Sequence, residues 1–409
     1  MDSFVFPQGC YMIAHQPFIG SMRNLATCCL VICLVISCTK SKGIILSDET
    51  RENNVSLVSS DKITFILDSV TINRINCLEY SDLTDELSFY NKYDHSILLY
   101  DYESKKYKKR LNIPIELPQL QGYSIQNRDT LLFHSYLTAT TYLLDNQLKL
   151  VKTIVWDDRH REKDMFLPSP YVGTSTPIRS INGNIVMIGM IAGETTKENE
   201  YNRPVLSVYN STEGKSFTLN YPQYYSLFNW GGGLFYRLPY YTPTDDKNRI
   251  IVSFPASHDL YSYDLSNGNI DTFYGGSNEI SKITSFPFRK NKIVSNNIER
   301  EWYMNNPSFE GIYYDKYKEL YYRIARLPQP EFQSSKENMK PTIIIIFDKY
   351  LNYLGEYHLP EHLIYIPSNS FVTREGLNIQ ILTENEDELS FIQYSFQNTP
   401  SYYRNNSAI

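Results

Sequence analysis

Cysteine is scarce in this chain and badly placed for a disulfide framework: five of its 6 cysteines precede residue 39, and only Cys77 follows. If the leading segment is removed on export, the mature chain has no intramolecular disulfide and no cysteine metal cluster. Long apolar runs are missing too. The longest is Leu25–Ile36, LATCCLVICLVI, well short of the roughly 20 residues that a bilayer-spanning helix needs. Charge of one sign is also lacking. A net charge of -6 with 21% charged residues leaves no basic footprint, which sets nucleic-acid partners aside. No nucleophile elbow, no metal-ligand spacing and no isolated acid/base pair occurs, so no catalytic residue, metal or cofactor is assigned.

What the short apolar run does offer is an export signal. Met22 and Arg23 precede it as a brief charged n-region, and Val35, Ile36, Ser37 and Cys38 follow as the pattern of a bacterial lipobox. A cleaved signal without lipid, or a buried helix, is the alternative. Residues 1–21 read as an over-extended gene start, 22–37 as the signal peptide, and 38–58 as a lipidated tether, with Cys38 as the acylated mature N-terminus. Lipid there would hold the protein to a membrane. TKSKGIILSDETRENNVS, after Cys38, is polar enough for a flexible linker.

Aromatic residues are abundant, 35 Tyr and 20 Phe. They suit half-buried pleated surfaces, although A+T-rich coding also enriches tyrosine. Repeats favour the first explanation. An apolar strand, an Asp or Asn, a turn and a second strand recur from Ile97, Thr141, Leu206, Leu260 and Ile343, with a degenerate sixth copy, LSFIQYSF, from Leu389. The turn positions are Asp101, Asp145, Asn210, Asp264 and Asp348, with Ser395 in the last copy. Asx side chains cap their own backbone at such turns. Another strand pattern precedes each copy.

Six such units predict an all-β fold, a six-bladed β-propeller over 59–400 with a polar tail at 401–409. A pair of β-sandwiches is the competing arrangement, but it leaves six copies of one phrase unaccounted for. The sixth copy lacks a second strand, and ITFILDSV from Ile63 belongs to no unit. The N-terminal segment is therefore expected to supply the outer strand that closes the ring.

The lipobox, the Tyr- and Asn-rich blades and the phrase SFVTREGLNIQIL from Ser370 resemble uncharacterised six-bladed propeller lipoproteins of gut Bacteroidales, a domain-of-unknown-function family with a TolB-like propeller. The resemblance implies fold and anchoring but no activity. Surface-exported lipoproteins of those bacteria often carry acidic residues after the cysteine. Thr39, Lys40, Ser41 and Lys42 stand here, which points to a cell-envelope location facing the periplasm.

Within a propeller, the turns between second and third strands share a face with the blade-to-blade connections. The longest excursions fall there: Trp156 to Asp164, Gly193 to Arg203, Gly275 to Gly311 and Leu327 to Pro341. Loops on a rigid scaffold commonly carry binding. His134 and His258 are expected on this rim as ligands or bases, or simply as caps for turn backbone. Ser257, His258 and Asp259 are consecutive on extended chain, so they cannot relay a proton as a triad. Arg179, on an innermost strand, reaches the channel and can fork around a carboxylate or sulfate, with Arg323 behind it. The alternative for both is an ion pair between blades. Trp230 and Arg237 in FNWGGGLFYRLPYY offer a stacking platform and an orienting cation. The three glycines between them mark a bend or bulge rather than a phosphate loop. Asp157 to Asp164, DDRHREKD, reads as a solvated loop.

The expected function is a membrane-tethered binding or scaffold module for a peptide, glycan or envelope protein. The alternative is a propeller hydrolase or lyase acting at the channel mouth.

Overall fold

A computed structural model describes residues 43–47, 51–53, 55–114, 116–127, 129–156, 167–190, 203–288, 295–329 and 340–398. Cys38, the signal segment and much of the expected long loops (157–166, 193–202, 289–294, 330–339) lie outside these residues.

The described strands form a six-bladed β-propeller. Blade 1 is Leu78–Ser81, Glu86–Asn91, Ser96–Asp101 and Tyr107–Asn112, and blade 2 is Gly122–Asn127, Thr130–Ser135, Thr140–Leu144 and Leu150–Val155. Blade 3 has a divided inner strand, Ser169–Pro170 and Arg179–Ile181, followed by Asn184–Met190, Pro204–Asn210 and Gly214–Asn220. Blade 4 is Tyr240–Pro243, Arg249–Ser253, Asp259–Asp264 and Ile270–Tyr274; blade 5 is Ser308–Asp315, Leu320–Arg326, Thr342–Asp348 and Tyr353–His358. Blade 6 has three strands of its own, Ile364–Val372, Leu377–Leu382 and Glu388–Asn398.

Its fourth comes from the other end of the chain. Val55–Ser59 pairs with the far half of Glu388–Asn398, and Ile63–Ile66 pairs with the near half. The expected closure is present and uses two successive N-terminal strands. The expected tether boundary moves as a result. Residues 55–59 are strand, Ile44–Leu46 pairs with Lys282–Thr284 between blades 4 and 5, and the Arg51 guanidinium lies 3.8 Å from the Tyr353 ring.

The Asx turns are where the repeat puts them. Asp101, Asp145, Asn210, Asp264 and Asp348 each accept a backbone N–H two or three residues on, at 2.8–2.9 Å. These bonds fix the turn before each outer strand. Ser395 does not follow the rule. It sits inside the closing strand opposite Val58 and donates to the Glu375 carbonyl at 2.6 Å.

Between blades the packing follows the two-residue period of a strand. In blade 5, Ile343, Ile345 and Phe347 join the core shared with blade 4, while Ile344 and Ile346 join the core shared with blade 6. All five are 0% exposed. A strand buried on both faces reads as an unbroken apolar run, and this is why IIIIF appears in the sequence.

Three short helices cover the interblade face. α1 (Tyr224–Leu227) and α2 (Leu234–Arg237) connect blades 3 and 4, and α3 (Asn296–Met304) connects blades 4 and 5. Their aromatic rings interlock, with Tyr236 centred 4.5 Å from Trp302 and Phe235 stacked 4.4 Å from Tyr303. Among the described residues, no helix is long and apolar enough to cross a membrane.

Candidate functional site

The divided inner strand of blade 3 shapes the channel. Between its two pieces the chain leaves the sheet at Tyr171 and returns at Ile178. Thr174 at the tip of this excursion accepts the Leu78 N–H of blade 1 at 2.9 Å and donates to Asn369 of blade 6 at 3.0 Å. Asn369 in turn donates to Gln380 at 2.7 Å, and Gln380 to the Asn73 carbonyl at 2.6 Å. Thr174 and Ser175 line cavities on both sides, so the excursion separates two mouths.

The mouth away from the helices has a volume of about 400 Å³. Its charged groups are partnered: Lys316 pairs with Asp82, and Asp245 accepts the Tyr314 hydroxyl. Arg179 reaches this mouth as expected. Its guanidinium donates to Glu79 of blade 1 and, at 2.7 Å, to Ser124 of blade 2. Glu79 also accepts the Ile125 N–H at 2.7 Å. The arrangement is an ion pair that clasps three blades.

The mouth on the helix side is larger, about 490 Å³. Tyr171, Phe235, Tyr240, Tyr303 and Tyr365 bring rings to it, Glu310 and Arg326 bring charge, and Arg74 adds an exposed cation at its edge. A bulge between Phe309 and Ile312 places Glu310 here. Tyr303 donates to Glu310 Oε1 at 2.8 Å, while Arg326 Nη1 is 3.9 Å from Glu310 Oε2. Behind them Lys340, 3% exposed, donates to the carbonyls of Tyr303 at 2.9 Å and Asn306 at 2.6 Å. Burial drives the Lys340 ammonium well below the usual lysine pKa, and the nearby Arg326 charge adds to this. Burial and the Glu310 charge push the Tyr303 phenol up.

The other expected site residues lie elsewhere. His134 is not on the rim; it is the fifth residue of its strand, fully buried, with Nδ1 3.0 Å from Thr141 Oγ1. Trp156 donates to the same hydroxyl at 2.8 Å. Burial lowers the His134 pKa to about 3. His258 occupies the expected turn, but its ring is buried between Tyr274 and Phe309. Burial, reinforced by the Arg323 charge, lowers its pKa to about 4.

Arg323 is 0% exposed and faces blade 4, not the channel. Nη1 donates to the His258 and Gly275 carbonyls, and Nη2 to the Ser257 carbonyl, each at 2.8 Å. Trp230 and Arg237 are buried, at 3% and 6% exposure, beneath the helical cover. The glycines after Trp230 form a cradle for a carboxylate: Gly233 N–H donates to Glu299 Oε1 at 2.7 Å. Cys77 is buried, and burial pushes its thiol up to about 12, so it is chemically quiet.

Sequence reasoning had no route to Glu310 and Arg326. Glu310 depends on a bulge, and Arg326 closes a strand that is apolar apart from Arg323. The end position of Arg326, where the strand reaches the rim, was the one available signal.

No curated protein matches this sequence. The chain is similar to several solved structures. A crystal structure of a DUF4221 family member from Bacteroides vulgatus aligns with a TM-score of 0.69 at 18% identity, covering 85% of this chain and 100% of that one. A putative exported protein from Bacteroides fragilis aligns at 0.47 and 10% identity, over 85% of this chain and 98% of the other. A virginiamycin B lyase from Staphylococcus aureus aligns at 0.42 and 12% identity, over 81% and 99%. The family model for the domain of unknown function DUF4221 matches residues 54–358, well over half of this sequence, and the chain belongs to that family.

Proposed function

We propose that the protein is a binding module, held at a cell envelope by lipid on Cys38, that receives a glycan, peptide or envelope protein at the helix-side mouth of its propeller. The observation that carries this reading is the make-up of that mouth. Rings from Tyr171, Phe235, Tyr240, Tyr303 and Tyr365 surround an opening of about 490 Å³, and concave aromatic sites with a few polar groups are typical ligand sites. His134 and His258, the two histidines expected on the rim, are buried outside it.

One observation favours the alternative of a propeller hydrolase or lyase. Tyr303 and Glu310 are two titratable groups within hydrogen-bond reach at the mouth, 2.8 Å apart. The raised phenol pKa keeps Tyr303 protonated at neutral pH, which makes it a proton donor to Glu310 and not a base.

The test is a glycan and peptide array probed with residues 39–409, wild type beside Tyr171→Ala and Tyr365→Ala. A ligand retained by the wild type and lost by both variants, with no product released, supports the module. Turnover of that ligand replaces it with the enzyme. Separately, Cys38→Ala in the full chain is expected to move the protein to the soluble fraction, and retention in the membrane fraction would remove the anchor from the proposal.

A further inference from the structure

Arg326 is the anomaly of the helix-side mouth. Its side chain is 8% exposed, yet among the described residues its Nε meets no acceptor, and its one ionic neighbour is Glu310 at the long distance of 3.9 Å. Contrast Arg323, three residues earlier on the same strand, whose guanidinium donates at 2.8 Å to three different carbonyls. A buried guanidinium with unused donors costs stability, because its hydration is lost without replacement. Such a group is retained where a ligand supplies the missing acceptors.

Its position says the same. Ile324 and Tyr322, which share its parity on the strand, pack toward blade 6. Arg326 extends that row to the point where the strand ends at the cavity, which Ser368 and Asn369 also line. The planar fork of an arginine matches a carboxylate in two parallel hydrogen bonds. A dianion fits less well, because the Glu310 carboxylate 3.9 Å away repels each added charge.

We infer that Arg326 is the anion-recognising residue of this mouth and that the ligand it selects is an acidic saccharide, bound through the carboxylate of a uronic acid. The saccharide is favoured over a peptide carboxylate by what surrounds the guanidinium. Tyr171, Phe235, Tyr240 and Tyr365 offer ring faces for the apolar face of a sugar. Glu310 Oε2, with Arg326 as its nearest charged partner, remains open to a sugar hydroxyl. This inference rests on the binding reading given above and narrows it to one ligand class.

The experiment compares cellobiouronic acid with its neutral counterpart cellobiose by titration calorimetry, in wild type and in Arg326→Met, with melting temperatures of the free proteins recorded alongside. The acid is expected to bind the wild type at least tenfold more tightly than cellobiose, and Arg326→Met to erase that difference. Because the guanidinium is under-satisfied, free Arg326→Met is expected to melt at the same temperature as wild type or higher, which a structural arginine would not allow. Equal binding of the two sugars overturns the inference while leaving a binding module intact. A melting temperature lowered by several degrees in Arg326→Met overturns it as well. Preference for a tripeptide with a free C-terminal carboxylate, or for sulfate alone, overturns the saccharide class. Absence of any binding by either sugar also overturns it, while the array with Tyr171→Ala and Tyr365→Ala then decides the module independently.

Discussion

The guanidinium of Arg323 in blade 5 donates to the backbone carbonyl of His258 in blade 4 at 2.8 Å. The same group reaches the Ser257 and Gly275 carbonyls at 2.8 Å, donates to Ser253 Oγ at 3.0 Å and lies 3.8 Å over the Phe309 ring. It is therefore a clasp between blades, holding a turn whose carbonyls sit in a buried interface. Burial lowers even this guanidinium to about 9, and the nearby Asp259 charge offsets only part of that effect. Arg323→Met is expected to destabilise the propeller by at least about 3 kcal/mol, since several buried carbonyls lose their partners. Urea denaturation followed by tyrosine and tryptophan fluorescence measures this. A loss under about 1 kcal/mol would show that the turn re-satisfies itself.

The contrast between Arg323 and Arg326 shows how much was legible in the sequence. Repeat phrases with Asx residues at fixed places specified blades and turns, because those turns are local backbone chemistry. The side of Arg323 was not legible: it shares its parity with Tyr321 and Ala325 on the blade 4 side, an interface and not the channel position expected behind Arg179. The excursion at Tyr171 to Ile178, the bulge at Glu310 and the helical cover over Trp230 were not legible. Each is a departure from repeat geometry, fixed by contacts between blades far apart in sequence, and periodicity carries no information about departures from itself. His134 was displaced from the expected turn by a strand one or two residues longer than its apolar pattern.

Acid should weaken the fold earlier than carboxylate titration alone would suggest. His134 and His258 are buried, with pKa values lowered to about 3 and about 4 from the ordinary 6.5. Below pH 6.5 the unfolded chain binds protons at these positions and the folded chain does not, so stability falls as pH falls. The contribution is complete above pH 6.5 and is lost progressively down to the folded values. At pH 5 each histidine accounts for about 2 kcal/mol at most. Urea midpoints from pH 7.5 to 5 are expected to drop, and His258→Phe is expected to flatten the slope. A flat wild-type profile in this window would show that the rings are hydrated in solution.

The three glycines after Trp230 are not equivalent, and substitution separates them. Gly231 has φ of +77°, and a Cβ there would collide with the Glu299 side chain; Gly232 has open space apart from Glu299 Oε2 at 3.9 Å. Gly231→Ala is expected to cost about 1–2 kcal/mol or more through the left-handed backbone alone. Gly232→Ala is expected to change stability by less than about 0.5 kcal/mol. Thermal denaturation of the two variants side by side tests the cradle, and equal effects would mean that Glu299 moves away freely.

Ring closure depends on the segment that follows Cys38 in the sequence. Val55–Ser59 and Ile63–Ile66 pair with the two ends of Glu388–Asn398, and Phe65 and Phe391, both fully buried, meet edge to face at 6.1 Å in the core between blades 6 and 1. A chain beginning at residue 67 loses that outer strand and leaves the long closing strand as an unpaired apolar edge, the kind that templates aggregation. It is expected to be insoluble or to melt at least 10 °C lower, while a chain beginning at residue 43 melts like the chain beginning at 39. Equal melting of the 43 and 67 chains would show that three strands suffice for blade 6. The expected outcome has a mechanical corollary. If Cys38 carries the anchor, any pull on the membrane is delivered to the strand that closes the ring, so the clasp made by Arg51 on Tyr353 and by Asn53 on the Glu356 carbonyl at 2.9 Å stands between tether and closure.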